Sequence, residues 1–149
     1  MTEHDRQPEG SRTFTFRKRH RLRHAREFDA VFSAKCCKHQ GPLTIHALPN
    51  GLGESRLGLS VGKRVGNAVR RSQAKRAIRE VFRLSRHLWP IGLDIVVVVR
   101  PHTRLTLAEY QRLYHKAIRQ VLREWQRRGT FLEPEQPELP TSDSQVDSE

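Results

Sequence analysis

Between residues 17 and 128 the chain has seven carboxylates: Glu27, Asp29, Glu54, Glu80, Asp94, Glu109 and Glu124. None has a partner at a spacing that suggests paired general acid–base work. No GxSxG, HExxH or phosphate-loop motif is present. His20 and His24 stand four apart, but in an Arg-rich stretch whose charge repels a metal ion. Cys36 and Cys37 are adjacent, a spacing that rarely bridges, and two reduced thiols are expected. No catalytic residue and no metal ligand is therefore assigned to the protein itself. The chemistry on offer is that of cations. Residues 66–82 read GNAVRRSQAKRAIREVF, five Arg or Lys against Glu80 alone. At about 100° per residue, Arg71, Lys75, Arg79, Arg83 and Arg86 fall on one stripe, with Arg76 at its edge. Ala74, Ala77, Ile78, Val81, Leu84 and Leu88 fall on the opposite one, while Phe82 falls among the cations. Guanidinium forks pair with phosphate oxygens two bonds at a time. A face that neutralises phosphates releases counterions, giving affinity that falls steeply with salt. A merely solvated helix face would mix signs for i, i+4 pairing.

The elements that must position this face can be read outward from it. Asn67 is a suitable N-cap for a helix running to about Leu88, ended by Trp89-Pro90. Ahead of it, Arg56–Gly62 alternates Leu57, Leu59 and Val61, the period of a strand. PNGLGE (49–54) is a turn, with Asn50-Gly51 as the strongest hairpin signal in the chain. Residues 36–48 read as extended, with Leu43, Ile45 and Ala47 alternating. Ala25–Phe32 fits a short helix with Phe28, Val31 and Phe32 on one side. Ile95–Val99 is apolar throughout, as a central strand covered on both faces must be. Thr106 and Glu109 match a capping box ahead of a long amphipathic helix marked by Leu107, Tyr110, Tyr114, Ile118, Val121, Leu122 and Trp125. The order α-β-β-β-α-β-α predicts an α+β fold, a two-layer α/β sandwich with three helices on a four-stranded mixed sheet.

Charge distribution sharpens the partner. The 149 residues carry a formal net charge of +12, but all 28 Lys and Arg lie at or before Arg128. Residues 129–149 hold six acids and no Lys or Arg, so the rest of the chain carries 12 + 6 = +18. Such a body points to nucleic acid before an anionic membrane. Residues 1–16 and 129–149 are expected to be a disordered extension and an acidic disordered tail around one domain, 17–128. The polar N-terminus lacks a signal core, and no apolar run is long enough to span a bilayer, so the cytoplasm is expected. Phe28 and Phe32 fit first a core role, with a platform on which unstacked bases rest as the alternative. A DNA regulator would want a recognition helix aimed at bases, and a membrane-surface helix a bulkier insertion face. A ribosomal or general structured-RNA-binding protein would use the same basic helix.

RLGLSVGKRVGNAVRRSQAKRAIREVF (56–82) resembles the signature of the bacterial ribonuclease P protein component: a strand, a Gly-Asn-Ala-Val turn and an RNxxKRxxRE-type helix. HRLRHAREFDAVF (20–32) resembles that family's opening segment, and LDIVVVVRPHTRLTLAEYQRL (93–113) its last strand, loop and helix. The similarity covers roughly residues 17–125. One departure stands out: Arg71-Ser72-Gln73 replaces the family's Arg-Asn-Arg, with a shorter side chain at 72 and one cation fewer at 73. The resemblance implies a fold like the second domain of a small-subunit ribosomal protein, with a left-handed βαβ crossover. It implies a protein subunit of ribonuclease P, which removes the 5′ leader of precursor tRNA by Mg²⁺-dependent hydrolysis, with the active site and Mg²⁺ held mainly by a catalytic RNA. Its partners would be that RNA, at one protein per RNA, and precursor tRNA. Arg71, Lys75, Arg76 and Arg79 carry over as RNA-binding, and Arg64, Asn67, Arg70 and Arg83 of the same turn and helix complete that set. Phe28, Phe32, His46 and Arg56 are the expected leader-binding residues, in a cleft between the first helix and the sheet.

Overall fold

The computed structural model describes residues 17–89 and 92–129, so the expectations for 1–16 and for the tail beyond Gly129 lie outside the described residues. Four strands form one sheet: β1 (Cys37–Gln40), β2 (Leu43–Pro49), β3 (Arg56–Val61) and β4 (Leu93–Val99). Three helices accompany it: α1 (Ala25–Ser33), α2 (Ala68–Ser85) and α3 (Leu107–Arg127). The spatial order is β1-β2-β4-β3. β1 pairs antiparallel with β2, and β2 antiparallel with β4. β3 runs parallel to β4, so α2 is the crossover of a βαβ unit. The element order and the mixed four-stranded α+β sheet match the sequence expectation.

The Asn50-Gly51 signal does not make a hairpin. β4 separates β2 from β3, and Asn50 instead folds the connection locally. Its Oδ1 accepts from Leu52 N at 2.8 Å, while its Nδ2 donates to Glu54 O and Asp94 Oδ1 at 3.0 and 2.8 Å. The hairpin lies one connection earlier, at Gly41-Pro42 between β1 and β2. Long-range pairing chose β4 as the neighbour of both strands because its run of apolar residues needs cover on both edges and both faces.

One face of the sheet is closed by α2 and α3. Leu43, Ile45 and Ala47 of β2 and Leu93, Ile95 and Val97 of β4 are fully buried there, against Ile78, Val81, Phe82, Tyr114, Ile118 and Val121. Trp125 Nε1 donates to Ala47 O at 3.0 Å, so its polar atom is satisfied inside the core. Phe82, which a regular wheel puts among the cations, is fully buried, whereas Leu88 is 57% exposed. The buried positions of α2 are Ala74, Ile78, Val81, Phe82 and Ser85. The helix is thus rolled toward Phe82, because its large ring gains more from burial than Leu84 at the opposite edge. After Ser85 the chain tightens into a 3₁₀ turn, Arg86–Leu88, which carries Leu88 away from the stripe. The opposite face of the sheet is covered only in part, by α1, with Leu22, Val31 and Val96 as its small buried cluster. α3 opens with the expected capping box: Glu109 N donates to Thr106 Oγ1 at 3.1 Å and Thr106 N to Glu109 Oε1 at 2.8 Å.

Candidate nucleic-acid interface

The cationic face is set by the turn before α2. Gly66 has φ +149°, and a Cβ there would meet Arg70 Cβ at 3.0 Å, so the chain needs glycine to enter the helix at this angle. Asn67 is the N-cap, its Oδ1 accepting from Arg70 N at 2.9 Å. Arg64 is exposed on the 3₁₀ turn just ahead. The predicted RNA-binding set then divides. Lys75, Arg76, Arg79 and Arg83 share one shallow recess with Ser72 and Glu80. Arg71 Nε donates to Gly66 O at 3.2 Å and braces the turn. Arg70 points elsewhere: its Nη2 donates to His102 O at 2.7 Å, toward the loop before α3. Arg83 is paired with Glu80, 2.6 Å from Nη2 to Oε2, which offsets part of its charge.

A cleft runs between α1, β3 and α2. Phe28 lies over β3 at Gly58, where a Cβ would come within 2.7 Å of Phe28 Cζ. Only glycine lets the ring settle on the strand. Lys75 and Arg79 of α2 line this cleft as well as the recess on the helix face, so the two surfaces meet at these two side chains. Burial holds the Arg79 guanidinium below its ordinary pKa, and the neighbouring charge of Arg21 acts the same way. Clustered like charges in a partly dry site are what an anionic partner relieves.

Phe32 is 38% exposed and meets His46 edge to face, ring centroids 4.7 Å apart. His46 projects from β2 on the α1 side of the sheet, and its Nδ1 is buried without a hydrogen-bond partner. Burial, and secondarily the charge of His39, hold its pKa below the ordinary value, so the ring is neutral at pH 7. Arg56 is occupied. Its Nε and Nη2 make a fork on Asp94 at 2.8 and 2.7 Å, and its Nη1 reaches Glu27 Oε2 at 3.2 Å. It straps α1 to β4 and raises no uncompensated charge toward the cleft. Of the expected leader-binding residues, Phe28, Phe32 and His46 therefore present surface, while Arg56 holds the frame.

Residues 17–23 were not singled out by the helix pattern, yet they form a wall of the cleft. Lys18, Arg21, Leu22 and Arg23 line it opposite Lys75 and Arg79. Leu22 N donates to Leu57 O at 3.0 Å, and Arg21 pairs in parallel with Leu57 beside β3. His20 is fully buried. Its Nδ1 accepts from Arg17 N at 2.8 Å, so Nε2 carries the proton and donates to Glu54 Oε1 at 2.6 Å. Burial first, and the charge of Arg86 second, keep His20 below its ordinary pKa. The signal in the sequence was cation density alone, RKRHRLRHAR over 17–26. His20 and His24 do not share a helix face: His20 closes a 3₁₀ turn and His24 caps α1.

The carboxylates near the cleft do not fit a divalent cation. Glu54 is engaged by His20 and Arg19, Asp94 by Arg56 and Asn50, and Glu27 by Arg56 and the N–H groups of Arg23 and His24. Among the described residues no group of three or more His, Cys, Asp or Glu could hold a metal ion, and no helix is long and apolar enough to cross a membrane.

The family described as Ribonuclease P matches residues 16–127. The ribonuclease P protein component of Chromobacterium violaceum is 44% identical over 95 residues, 62% of this chain and 75% of that one. Its counterpart from Thermotoga maritima is 36% identical over 110 residues, 74% of this chain and 92% of the relative. Among solved structures, the Thermotoga maritima RNase P protein superposes with a TM-score of 0.59 at 31% identity, covering 64% of this chain and 92% of that one. A variant RNase P protein of Staphylococcus aureus gives a TM-score of 0.65 at 26% identity, covering 70% and 90%.

Proposed function

The chain belongs to the ribonuclease P protein family, and from that premise we propose how its two cationic surfaces divide the work. It is the protein subunit of a ribonuclease P endoribonuclease, acting in tRNA processing with a ribonuclease P RNA as partner. In our reading the recess of Lys75, Arg76, Arg79 and Arg83, with Arg64, Asn67 and Arg71 at its turn, lies on that RNA. The cleft under α1 takes the single-stranded 5′ leader of precursor tRNA, its bases on Phe28 and Phe32 and its phosphates near Lys75, Arg79 and Arg21. His46, neutral and edge-on to Phe32, offers its other ring nitrogen, Nε2, to a base edge. Arg70 contributes by tying α2 to the loop before α3 through His102 O, and Arg56 by keeping α1 in place.

The observation that carries this reading is that Lys75 and Arg79 line both surfaces at once. RNA and leader would then approach through the same cations, which screen the repulsion between the two polyanions. Hydrolysis is left to the RNA, with Mg²⁺ held there, because the protein's carboxylates near the cleft are already spoken for. One protein per RNA, action in the cytoplasm and a folded unit of 17–128 complete the proposal. The test is 5′ processing of a precursor tRNA by a bacterial ribonuclease P RNA at limiting Mg²⁺. Strong stimulation at the correct site is expected. A protein that binds the RNA tightly without stimulating cleavage would sink the reading in favour of general RNA binding.

A further inference from the structure

The segment 18–23 has a second side. Toward α2 it walls the cleft of about 470 Å³ that holds Phe28. Away from α2 it walls another recess, of about 390 Å³, against the β2–β3 connection. Both volumes fall within the roughly 300–1,000 Å³ of ligand pockets. Lys18, Arg21 and Arg23 line both, so the two recesses adjoin across one extended stretch of chain. We propose that the second recess is a subsite for further nucleotides of the single strand lying in the cleft, binding their phosphates and packing one base on Leu52. This rests on the reading of the cleft given above.

Three features support the assignment. The recess keeps a net positive charge, because Lys18, Arg19, Arg21, Arg23 and Arg56 line it against only two carboxylates, both held as struts. Glu54 accepts from Arg19 Nε at 3.1 and 3.2 Å and from His20 Nε2 at 2.6 Å, and Glu27 accepts from Arg56 Nη1 at 3.2 Å. The wall is also pre-positioned. Buried His20 is bonded through both ring nitrogens, and Leu22 N is tied to β3. Cations held this way need little ordering when a phosphate arrives. Finally, Leu52 is 59% exposed beside Arg19, Arg23 and His24. An apolar side chain among guanidinium planes suits an unstacked base, which takes its face against such surfaces and its phosphate against the charges.

The experiment uses the full chain assembled with a bacterial ribonuclease P RNA. Dissociation constants are measured for mature tRNA, for a precursor with a leader just long enough to fill the cleft, and for one with a longer leader. The unaltered protein should bind the long leader more tightly than the short one. Leu52→Glu, an exposed loop substitution, should weaken the long-leader complex by about fivefold, the worth of one charge pair near 4 Å in water. It should leave the short-leader complex and mature tRNA unchanged, while Leu52→Lys should widen the step between short and long leaders. Equal losses at both lengths, or no effect of either substitution, overturn the subsite. A loss of affinity for the catalytic RNA measured without substrate assigns the recess to that RNA and overturns it too. If the unaltered assembly shows no preference for any leader over mature tRNA, the cleft reading itself fails, and the subsite with it.

Discussion

Beneath α2 and α3 the sheet presents Leu43, Ile45, Ala47, Leu93, Ile95 and Val97, none exposed at all. Beneath α1 the alternate positions of β2 and β4 are Thr44, His46, Asp94 and Val96, joined by Arg56 and Gly58 of β3. Strand alternation makes the two faces independent in composition while they share one backbone. The first face buries enough apolar surface to hold the sheet flat against two helices. The second has a small cluster of Leu22, Val31 and Val96, and fills the rest with a bonded Arg–Asp–Glu group, a glycine and a histidine. A sheet secured from one side can leave polar, partly open surface on the other, and that is the surface we propose for the single strand.

The comparison predicts that substitutions on the two faces separate stability from binding. The largest effect is expected from Phe82→Ala on the closed face. Emptying a fully buried aromatic site should cost about 3–5 kcal/mol, read as a lower midpoint in urea unfolding. A cost below about 1 kcal/mol would mean that the ring is not core after all. Next is Lys75→Glu with Arg79→Glu, where the surfaces meet. Affinity for the catalytic RNA and for leader-bearing precursor should both fall, and the slope of log affinity against log salt should shrink by about two. A loss for the RNA alone would separate the two surfaces that these cations are argued to join. Smaller is Gly58→Ala on the open face. The new Cβ displaces Phe28, so discrimination between precursor and mature tRNA should weaken while the melting temperature drops only modestly. A large melting loss with discrimination intact would make Phe28 a packing residue.

The smallest effect is a pH dependence centred on the open face. His20 and His46 are both held below their ordinary pKa of 6.5, chiefly by burial. The unfolded chain therefore takes up protons near 6.5 that the fold refuses. Their contribution to stability is complete above about pH 7 and is lost as pH falls through 6.5 toward the lower folded values. Thermal unfolding between pH 8 and 5.5 should show that decline, and His20→Gln should reduce it. A melting temperature that rises on acidification would contradict the buried neutral rings.

Legibility differed between the faces for a physical reason. The closed face announces itself, since alternation in 43–47 and 57–61, the apolar run of 95–99 and the capping box at Thr106 each follow from local periodicity. The open face is assembled from residues far apart in the chain. Arg56 reads in isolation as one more cation, and only Asp94 and Glu27 beside it make it a strap. His20 reads as half of an i, i+4 pair until Glu54, 34 residues on, closes over it. Phe82 read as an outlier because a wheel assumes that the buried arc is centred on the apolar one.

Charge and local periodicity, which depend only on residues close in sequence, determined the polyanionic partner, the seven elements and the cationic stripe of α2. Tertiary structure alone decided that β4 would divide β2 from β3, that Phe28 would lie on Gly58, and that residues 17–23 would wall the cleft. Those outcomes depend on which distant surfaces exclude water together, and on whether each buried charge finds its partner.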